Sequence, residues 1–212
     1  MTSPLVLGVL VSGSGTNLQA VIDAVARGRL RATIGVVLSN VATARALDRA
    51  RAAGLTTAVI DHKAHASRAA FDAAVVEVLR SHGVSCVVLA GFMRIITATL
   101  LDAFPQRVVN IHPSLLPAFP GVHAQAQALA YGVRVSGCTV HLVDGGMDTG
   151  PILAQAAVPV LDGDTEESLR DRILLREHDL LPEVLQWLAD DRVTVVTDGA
   201  ARPRVRLRDQ AR

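Results

Sequence analysis

The hydrophobic positions in the first half of the chain follow two periods in alternation. Short apolar runs, typical of buried parallel strands, occur in PLVLGVLV, RATIGVVLSN, TTAVID, VSCVVLAGF and RVVNI. Between them apolar residues recur at helical spacing, and two such stretches end at Gly28 and at Gly54. A further helical stretch, SRAAFDAAVVEVLRSHG, has Ser67 as its predicted N-cap. Strands and helices that alternate with connections this short predict right-handed crossovers and a mainly parallel sheet.

The pattern changes from residue 136 onward. Two apolar stretches, SGCTVHLV and PILAQAAVPV, are joined by DGGMDTG, which leaves no room for a helix and predicts an antiparallel pair. Asp164, with Glu167 three residues later, predicts a capping box at the start of a long helix from Thr165 to about Ala189. The final stretch, RVTVVTDGAARPRVRL, predicts a hairpin around Asp198-Gly199, followed by a basic tail.

The predicted fold class is α/β: a single-domain, Rossmann-like, mainly parallel open sheet with helices on both faces and an antiparallel C-terminal part. The chain has 212 residues, enough for one large domain. We predict one domain over residues 1–212, with its core at about 5–190 and the hairpin and basic tail at 191–212. Half of the residues are hydrophobic and only 3% are aromatic, so aliphatic side chains should form most of the core.

Composition excludes several classes of function. A net charge of +1 lacks the basic excess that a nucleic-acid partner requires. No apolar run approaches the ~18 residues that span a membrane, and no export or anchoring signal is evident, so we expect a cytoplasmic protein without a membrane partner. Cys86 and Cys138 lie in apolar stretches without the spacing of zinc ligands, which predicts reduced core thiols and no metal. Composition does not distinguish a monomer from a homodimer.

A glycine-rich loop, SGSGTNLQ at residues 12–19, lies between the first predicted strand and the first helix. Backbone N–H groups and the helix dipole form an anion site at such a position, which predicts a site for a single phosphate. The dinucleotide fingerprint needs a third glycine where Leu18 stands, and the chain has no GK[ST] triplet for a nucleoside triphosphate. The alternative is a tight turn in which Thr16 or Asn17 only caps the helix.

Asn110 and His112 end the fifth predicted strand, and three prolines follow them in NIHPSLLPAFPG. Residues i and i+2 of a strand have side chains on one face, and ligands bind at the carboxyl edge of open parallel sheets. An amide can donate to a developing oxyanion, and an imidazole can transfer protons near neutral pH. The pair therefore predicts acyl-type transfer. Because no serine or cysteine has a nucleophile setting, we expect direct transfer without a covalent enzyme intermediate.

A histidine in this role is usually oriented by a carboxylate, and the DGGMDTGP loop offers Asp144 and Asp148. We select Asp148, because a carboxylate close to His112 would favour the imidazolium and raise its pKa. The alternative for Asp148 is a turn residue that hydrogen-bonds its own loop. The sequence assigns no role to His123 or His141.

Four motifs stand after the first, fourth and fifth strands and between the last two, namely SGSGTNLQA, LAGFMRI, NIHPSLLPAFPGVHA and DGGMDTGPILAQ. Together they resemble the phosphoribosylglycinamide formyltransferase family, within the wider group of enzymes that use formyltetrahydrofolate. The resemblance covers about residues 5–190. It implies that the amino group of glycinamide ribonucleotide attacks the formyl carbon of 10-formyltetrahydrofolate, in de novo purine biosynthesis. The tetrahedral intermediate would collapse to formylglycinamide ribonucleotide and tetrahydrofolate.

The same resemblance implies a role for each matching residue. Asn110 would hold the oxyanion, His112 would donate a proton and Asp148 would raise the pKa of His112. The substrate phosphate would be bound by Gly15, Thr16 and Asn17, and the glycinamide or ribose end by Glu177. The folate would contact Arg68, Met93, Arg94, Ile95, Ile96 and Asn110, together with the loop that contains Val143, Asp144 and Asp148.

Three other functions compete with this one. A formyltetrahydrofolate hydrolase would use the same three catalytic residues with water as acceptor, but it would carry an additional N-terminal domain and need no phosphate loop. A methionyl-tRNA formyltransferase would add a C-terminal domain and a basic surface, which a chain of 212 residues with net charge +1 does not predict. A non-catalytic phosphoribosyl-binding module would leave Asn110, His112 and Asp148 without a role.

Overall fold

The computed structural model describes residues 4–199 and 202–208, and the chain divides into two compact units, residues 1–110 and 111–212. The described strands of the first unit are β1 (Leu5–Val11), β2 (Ala32–Ser39), β3 (Thr57–Val59), β4 (Cys86–Leu89) and the first part of β5 (Val108–His112). Its helices are α1 (Thr16–Ala26), α2 (Arg45–Ala52), α3 (Arg68–Ser81) and α4 (Ala98–Ala103), with a 3₁₀ turn at His62–Ala64.

The strands of the first unit pair in parallel, in the order β3, β2, β1, β4, β5. The chain moves outward from β1 to β3 through α1 and α2, then crosses to β4 through α3 and reaches β5 through α4. Because such crossovers are right-handed, this reversal places the two helix pairs on opposite faces of the sheet. Contacts of α1 with α2, and of α3 with α4, agree with that arrangement. The carboxyl ends of β1 and β4 therefore form the switch point, where ligands of such folds bind.

The central strands of this unit are apolar along their length because helices cover both faces. Val9 of β1 and Val88 of β4 are fully buried. Cys86, at the start of β4, is a free buried thiol, and burial raises its pKa to about 12 against the opposing charge of Arg107. The unit has the predicted aliphatic core, and Cys86 is part of it.

The second unit contains the end of β5, then α5 (Ala124–Tyr131), β6 (Val135–Leu142), β7 (Ile152–Pro159), α6 (Glu166–Ala189), β8 (Val193–Val196) and β9 (Arg204–Leu207). β6 and β7 pair antiparallel as predicted. α6 contacts both of these strands and buries an apolar face that includes Leu169, Ile173, Leu181 and Leu185. β8 and β9 form the predicted hairpin, while residues 209–212 of the basic tail lie outside the described residues.

The start of α6 differs from the prediction. Its capping box consists of Thr165 and Ser168, one residue beyond the predicted Asp164 and Glu167. The carboxylate of Asp164 instead accepts two hydrogen bonds from Arg172, at 2.7 and 2.8 Å, one from the Leu161 N–H and one from Ser168 Oγ. The bonds from Arg172, followed by the backbone bond, hold the pKa of Asp164 far below its ordinary value.

The predicted α/β class is confirmed: a mainly parallel sheet with crossover helices, followed by an antiparallel C-terminal part. The sequence pattern does not predict the short helices α4 and α5, since each is too short to show a helical period, and the buried residues of α5 are two alanines. The extent of one domain over residues 1–212 stays a prediction, and its residues 1–3, 200–201 and 209–212 lie outside the described ones. No helix in the described ranges has the length and apolar character needed to cross a membrane.

Candidate active site

The glycine-rich loop connects β1 to α1 at the switch point of the first unit. Gly15 is the N-cap of α1 and has a left-handed φ of 72°. Thr16 begins the helix, Asn17 is buried, and Gly15 has no side chain with which to cap α1. The N-cap position thus belongs to Gly15, and Thr16 and Asn17 lie in the first turn of the helix. The first-turn backbone N–H groups and the helix dipole are suited to an anion.

Ser12, the first residue of the loop, connects it to the chain that follows β4. Its backbone N–H donates to the Gly91 carbonyl at 3.0 Å. Its hydroxyl donates to Asn40 Oδ1 at 2.7 Å and accepts from the Met93 N–H at 2.8 Å. The structure thus joins the predicted phosphate loop to one of the predicted folate residues through a single side chain.

Helix α2 holds the other side of the glycine loop. The Ala46 N–H donates to the Gly13 carbonyl at 3.0 Å, and Arg49 Nε donates to the Ser14 carbonyl at 2.9 Å. A Cβ added at Gly15 would lie 2.5 Å from the Ala46 Cβ and 2.7 Å from its Cα. Both the positive φ and this close approach of α2 require glycine at position 15.

We expect Gly15→Ala to weaken phosphate binding as well as stability, because the new Cβ would displace the loop from α2. Gly28→Ala is the matched control: its φ is 68°, but nothing lies within 4 Å of the added Cβ. In both variants the free energy of unfolding should fall by about 1–2 kcal/mol, because alanine is strained in the left-handed conformation. Thermal unfolding would measure this loss. Only Gly15→Ala should weaken the calorimetric affinity for glycinamide ribonucleotide, the ligand that the resemblance implies, by about tenfold or more. Unchanged affinity in a folded Gly15→Ala protein would contradict a phosphate site in this loop.

The predicted folate residues of the first unit lie in the irregular chain between β4 and α4, namely Met93, Arg94, Ile95 and Ile96. Met93 is 69% exposed and Ile95 is 58% exposed. Arg68, the first residue of α3, is also exposed. Exposed apolar side chains beside a switch point offer contact surface to an apolar ligand.

His112 ends β5, two residues after Asn110, and only 4% of its surface is exposed. Its Nε2 lies 2.9 Å from the Phe119 carbonyl oxygen, and its Nδ1 lies 3.4 Å from Asp148 Oδ2. A carbonyl and an ionised carboxylate can only accept hydrogen bonds. Both contacts are therefore hydrogen bonds at the same time only when both ring nitrogens carry a proton.

Asp148 lies between two histidines. Its Oδ2 also accepts from the Gly121 N–H at 2.8 Å, and its Oδ1 lies 3.6 Å from Nε2 of His141. Burial by itself would raise the pKa of Asp148, but the neighbouring His141 ring, the Gly121 N–H and the charge of His112 together hold it below its ordinary value. The carboxylate is consequently ionised at neutral pH. The backbone φ of Asp148 is 54°, which is unusual for a residue other than glycine, and backbone strain of this kind concentrates at functional sites.

The two aspartates of the DGGMDTG loop have different surroundings. Asp144 accepts from the Gly146 N–H at 3.0 Å and from Thr149 Oγ1 at 2.6 Å, so Asp144 is the residue that hydrogen-bonds its own loop. Asp148 faces the histidines instead. The structure thus brings His112 and the selected Asp148 together, and it gives the turn role to Asp144.

His141 belongs to this cluster, although the sequence assigned it no role. It lies on β6, is 1% exposed, and its Nδ1 is 2.9 Å from the Leu142 carbonyl oxygen. The available signal was its position near the end of a strand that leads directly into the loop of Asp148. His123, the other histidine without a role, is an exposed residue at the start of α5.

The other predicted site residues have these positions. Asn110 and Val143 are half-buried. Glu177 lies on the buried face of α6 with 4% exposure. The pKa of the Cys138 thiol is raised to about 12, mainly by the burial of the thiol and secondly by the charge of Glu177. The described part of the chain contains no group of three or more His, Cys, Asp or Glu placed to hold a metal ion, and the absence of a metal requirement stays a prediction.

Comparison with known proteins finds relatives along nearly the whole chain. A family model described as formyl transferase matches residues 6–185. Phosphoribosylglycinamide formyltransferase of Escherichia coli (strain K12) is 42% identical over 192 residues, which are 91% of each chain. The crystal structure of glycinamide ribonucleotide transformylase 1 from Symbiobacterium toebii has a TM-score of 0.93 and 52% identity, and the match covers 97% of this chain and 95% of that one.

A longer relative contains a region similar to this chain. The trifunctional purine biosynthetic protein adenosine-3 of Bos taurus is 46% identical over 193 residues. These residues are 91% of this chain, and the chain spans only 19% of that protein's length.

Proposed function

The chain belongs to the formyl transferase family, and from this premise we propose how its residues carry out the transfer. It is an enzyme that formylates phosphoribosylglycinamide in purine biosynthesis. We infer that the formyl donor is 10-formyltetrahydrofolate and that Asn110, His112 and Asp148 form the catalytic group. The observation that carries this proposal is the buried ring of His112, two residues beyond Asn110 and 3.4 Å from the ionised Asp148.

Asn110 is assigned to the oxygen of the formyl group. The amino nitrogen of glycinamide ribonucleotide attacks the formyl carbon, and the electrons of the C=O double bond move onto oxygen. The Asn110 amide N–H donates to that oxygen, and a fixed donor of this kind stabilises the transition state more than the ground state. The pairing of β5 with β4 holds the backbone of Asn110, which is opposite Leu89 in the register.

His112 is assigned as the second donor and as the group that handles protons. Its Nδ1 faces Asp148, so Nε2 is the nitrogen that meets the formyl oxygen, which takes the place of the Phe119 carbonyl as its acceptor. As the tetrahedral intermediate collapses, the bond between the formyl carbon and N10 breaks. The proton released by the attacking amine ends on N10 of tetrahydrofolate, and any proton that His112 gave to the oxyanion returns to the ring.

Asp148 is assigned to the orientation and charge of His112. A carboxylate beside an imidazole fixes the ring and stabilises the imidazolium. The support is the pKa of Asp148. Burial would raise this pKa, but the neighbouring His141 ring, the Gly121 N–H and the charge of His112 hold it below its ordinary value, so the carboxylate is ionised at neutral pH.

The remaining residues are assigned to the two substrates. The loop residues Gly15, Thr16 and Asn17 bind the phosphate of the ribonucleotide, and Glu177 binds the glycinamide or ribose end of the same substrate. The folate contacts two sets of residues. One set is Arg68, Met93, Arg94, Ile95 and Ile96, and the other is Asn110 with the loop residues Val143, Asp144 and Asp148. We also propose that the reaction takes place in the cytoplasm and that the partners of the enzyme are small molecules only. Whether the enzyme is a monomer or a homodimer stays an open prediction.

Asn110→Ala tests the proposed reaction and the role of its oxyanion donor together. The wild type should convert glycinamide ribonucleotide and 10-formyltetrahydrofolate to formylglycinamide ribonucleotide, identified by mass spectrometry. Loss of one oxyanion donor lowers kcat by about 10²- to 10³-fold, with the KM for each substrate much less affected. A wild-type protein that makes no such product would overturn the function, whereas an Asn110→Ala variant with unchanged kcat would overturn only the role of Asn110.

A further inference from the structure

Asp72 of α3 is a buried carboxylate outside the proposed catalytic group. Only 1% of its surface is exposed, and among the described residues of the first unit it is the one carboxylate in the buried class. Burying a charged group is unfavourable unless hydrogen bonds replace its water. Its Oδ2 accepts from the Thr97 N–H at 2.6 Å and from Thr97 Oγ1 at 2.7 Å. One oxygen of Asp72 thus holds one residue by two short hydrogen bonds.

Thr97 ends the irregular chain that contains the exposed Met93 and Ile95, here named the 92–97 segment. Thr97 is also the N-cap residue of α4, a position where a threonine hydroxyl usually accepts from the helix backbone. It makes no such cap bond here, and its hydroxyl donates to Asp72. The hydroxyl therefore fixes the end of the segment rather than the first turn of the helix.

The start of the 92–97 segment is held as well. The ring of Phe92 stacks on Phe71, the neighbour of Asp72 on α3, with 6.5 Å between ring centroids and 14° between planes. The Met93 N–H donates to Ser12 Oγ, which in turn donates to Asn40. Because the segment has no regular secondary structure, its conformation depends on such contacts at its two ends.

We propose that Asp72 is a positioning residue for the formyl donor, acting through Thr97 to hold the 92–97 segment in the conformation that receives the folate. The proposal rests on the proposed function, in which Met93 to Ile96 contact the folate. A fixed segment presents Met93 and Ile95 to the ligand without a further loss of backbone freedom on binding. Asp72 touches neither substrate in this account, so its effect reaches the reaction only through the segment.

Asp72→Ala tests the proposal through the separate KM values of the two substrates. The variant should raise the KM for 10-formyltetrahydrofolate by about tenfold or more, the size expected for losing hydrogen bonds to a charged group. The KM for glycinamide ribonucleotide should stay unchanged. Val75→Ala is the matched control, since Val75 is fully buried on the same helix and has no hydrogen bond to the segment. It should lower the Tm and leave both KM values unchanged.

Two variants of Thr97 decide the result if Asp72→Ala does not fold. Thr97→Val replaces the hydroxyl by a methyl group and should raise the KM for the folate. Thr97→Ser keeps both the hydroxyl and the backbone N–H as donors and should retain the wild-type KM. A folded Asp72→Ala or Thr97→Val protein with the wild-type KM for the folate would overturn the positioning role. A wild type that neither binds nor consumes 10-formyltetrahydrofolate would instead overturn the proposed function on which the inference rests.

Discussion

His112→Ala is expected to lower kcat by about 10²- to 10⁴-fold, the range for loss of a general acid or base, while glycinamide ribonucleotide still binds. The ring is the group that the structure holds between the Phe119 carbonyl and Asp148, and no phosphate-loop residue is altered. Stopped-flow or steady-state kinetics would give kcat, and calorimetry with glycinamide ribonucleotide alone would give its affinity.

His82→Ala is the control for His112→Ala, because His82 lies at the end of α3, where its Nδ1 is 2.8 Å from the Val78 carbonyl oxygen. It should have wild-type kcat. His112→Asn serves as a second variant in case the cavity left by alanine destabilises the protein. Wild-type turnover in either folded His112 variant would contradict the catalytic role.

Asp148→Asn is expected to lower kcat by about 10³-fold or more, as happens when the carboxylate that orients a catalytic histidine is replaced by an amide. Asparagine tolerates the left-handed backbone at this position and can still accept from the Gly121 N–H. The substitution therefore removes the charge beside His112 and His141 with little change of shape.

The control for Asp148→Asn is Asp162→Asn, which removes the charge of an exposed aspartate paired with Arg134 in the same unit. Surface pairs of this kind contribute little to stability, so this variant should keep both its Tm and its kcat. If Asp148→Asn turned over at the wild-type rate, the charge of Asp148 would have no part in the reaction, whatever its distance from His112.

The periodicity of the sequence predicts most of the fold because buried strands and amphipathic helices have different periods. It predicts the N-cap of α3 correctly, since Ser67 accepts from the Ala70 N–H within four residues. It places the start of the α6 capping box one residue early, because Arg172 engages Asp164. That competition comes from a side chain two turns away, which the capping pattern does not include.

The candidate site divides in the same way. Asn110 and His112 could be found from sequence because their spacing on a strand and the position of that strand's end follow from local rules. Asp144 and Asp148 share one loop, and only the backbone conformation shows which of them faces the histidine. The contact of Asp72 with Thr97 joins residues 25 apart in the chain, a pairing that no local pattern contains.

The competing functions differ in the fate of the formyl group. A hydrolase would release it to water with the same Asn110, His112 and Asp148, and a binding module would leave it on the folate. The glycine-rich loop favours the transferase, because the start of α1 at Gly15 is suited to an anion and a hydrolase whose acceptor is water does not need such a site.

The transferase and the hydrolase are distinguished by whether loss of the formyl group depends on the acceptor. The protein is incubated with 10-formyltetrahydrofolate, with and without glycinamide ribonucleotide, and loss of the formyl group is followed spectroscopically. Loss that occurs only when the ribonucleotide is present is the predicted result. Loss at the same rate without the ribonucleotide would make the enzyme a hydrolase and contradict the assignment of the glycine loop.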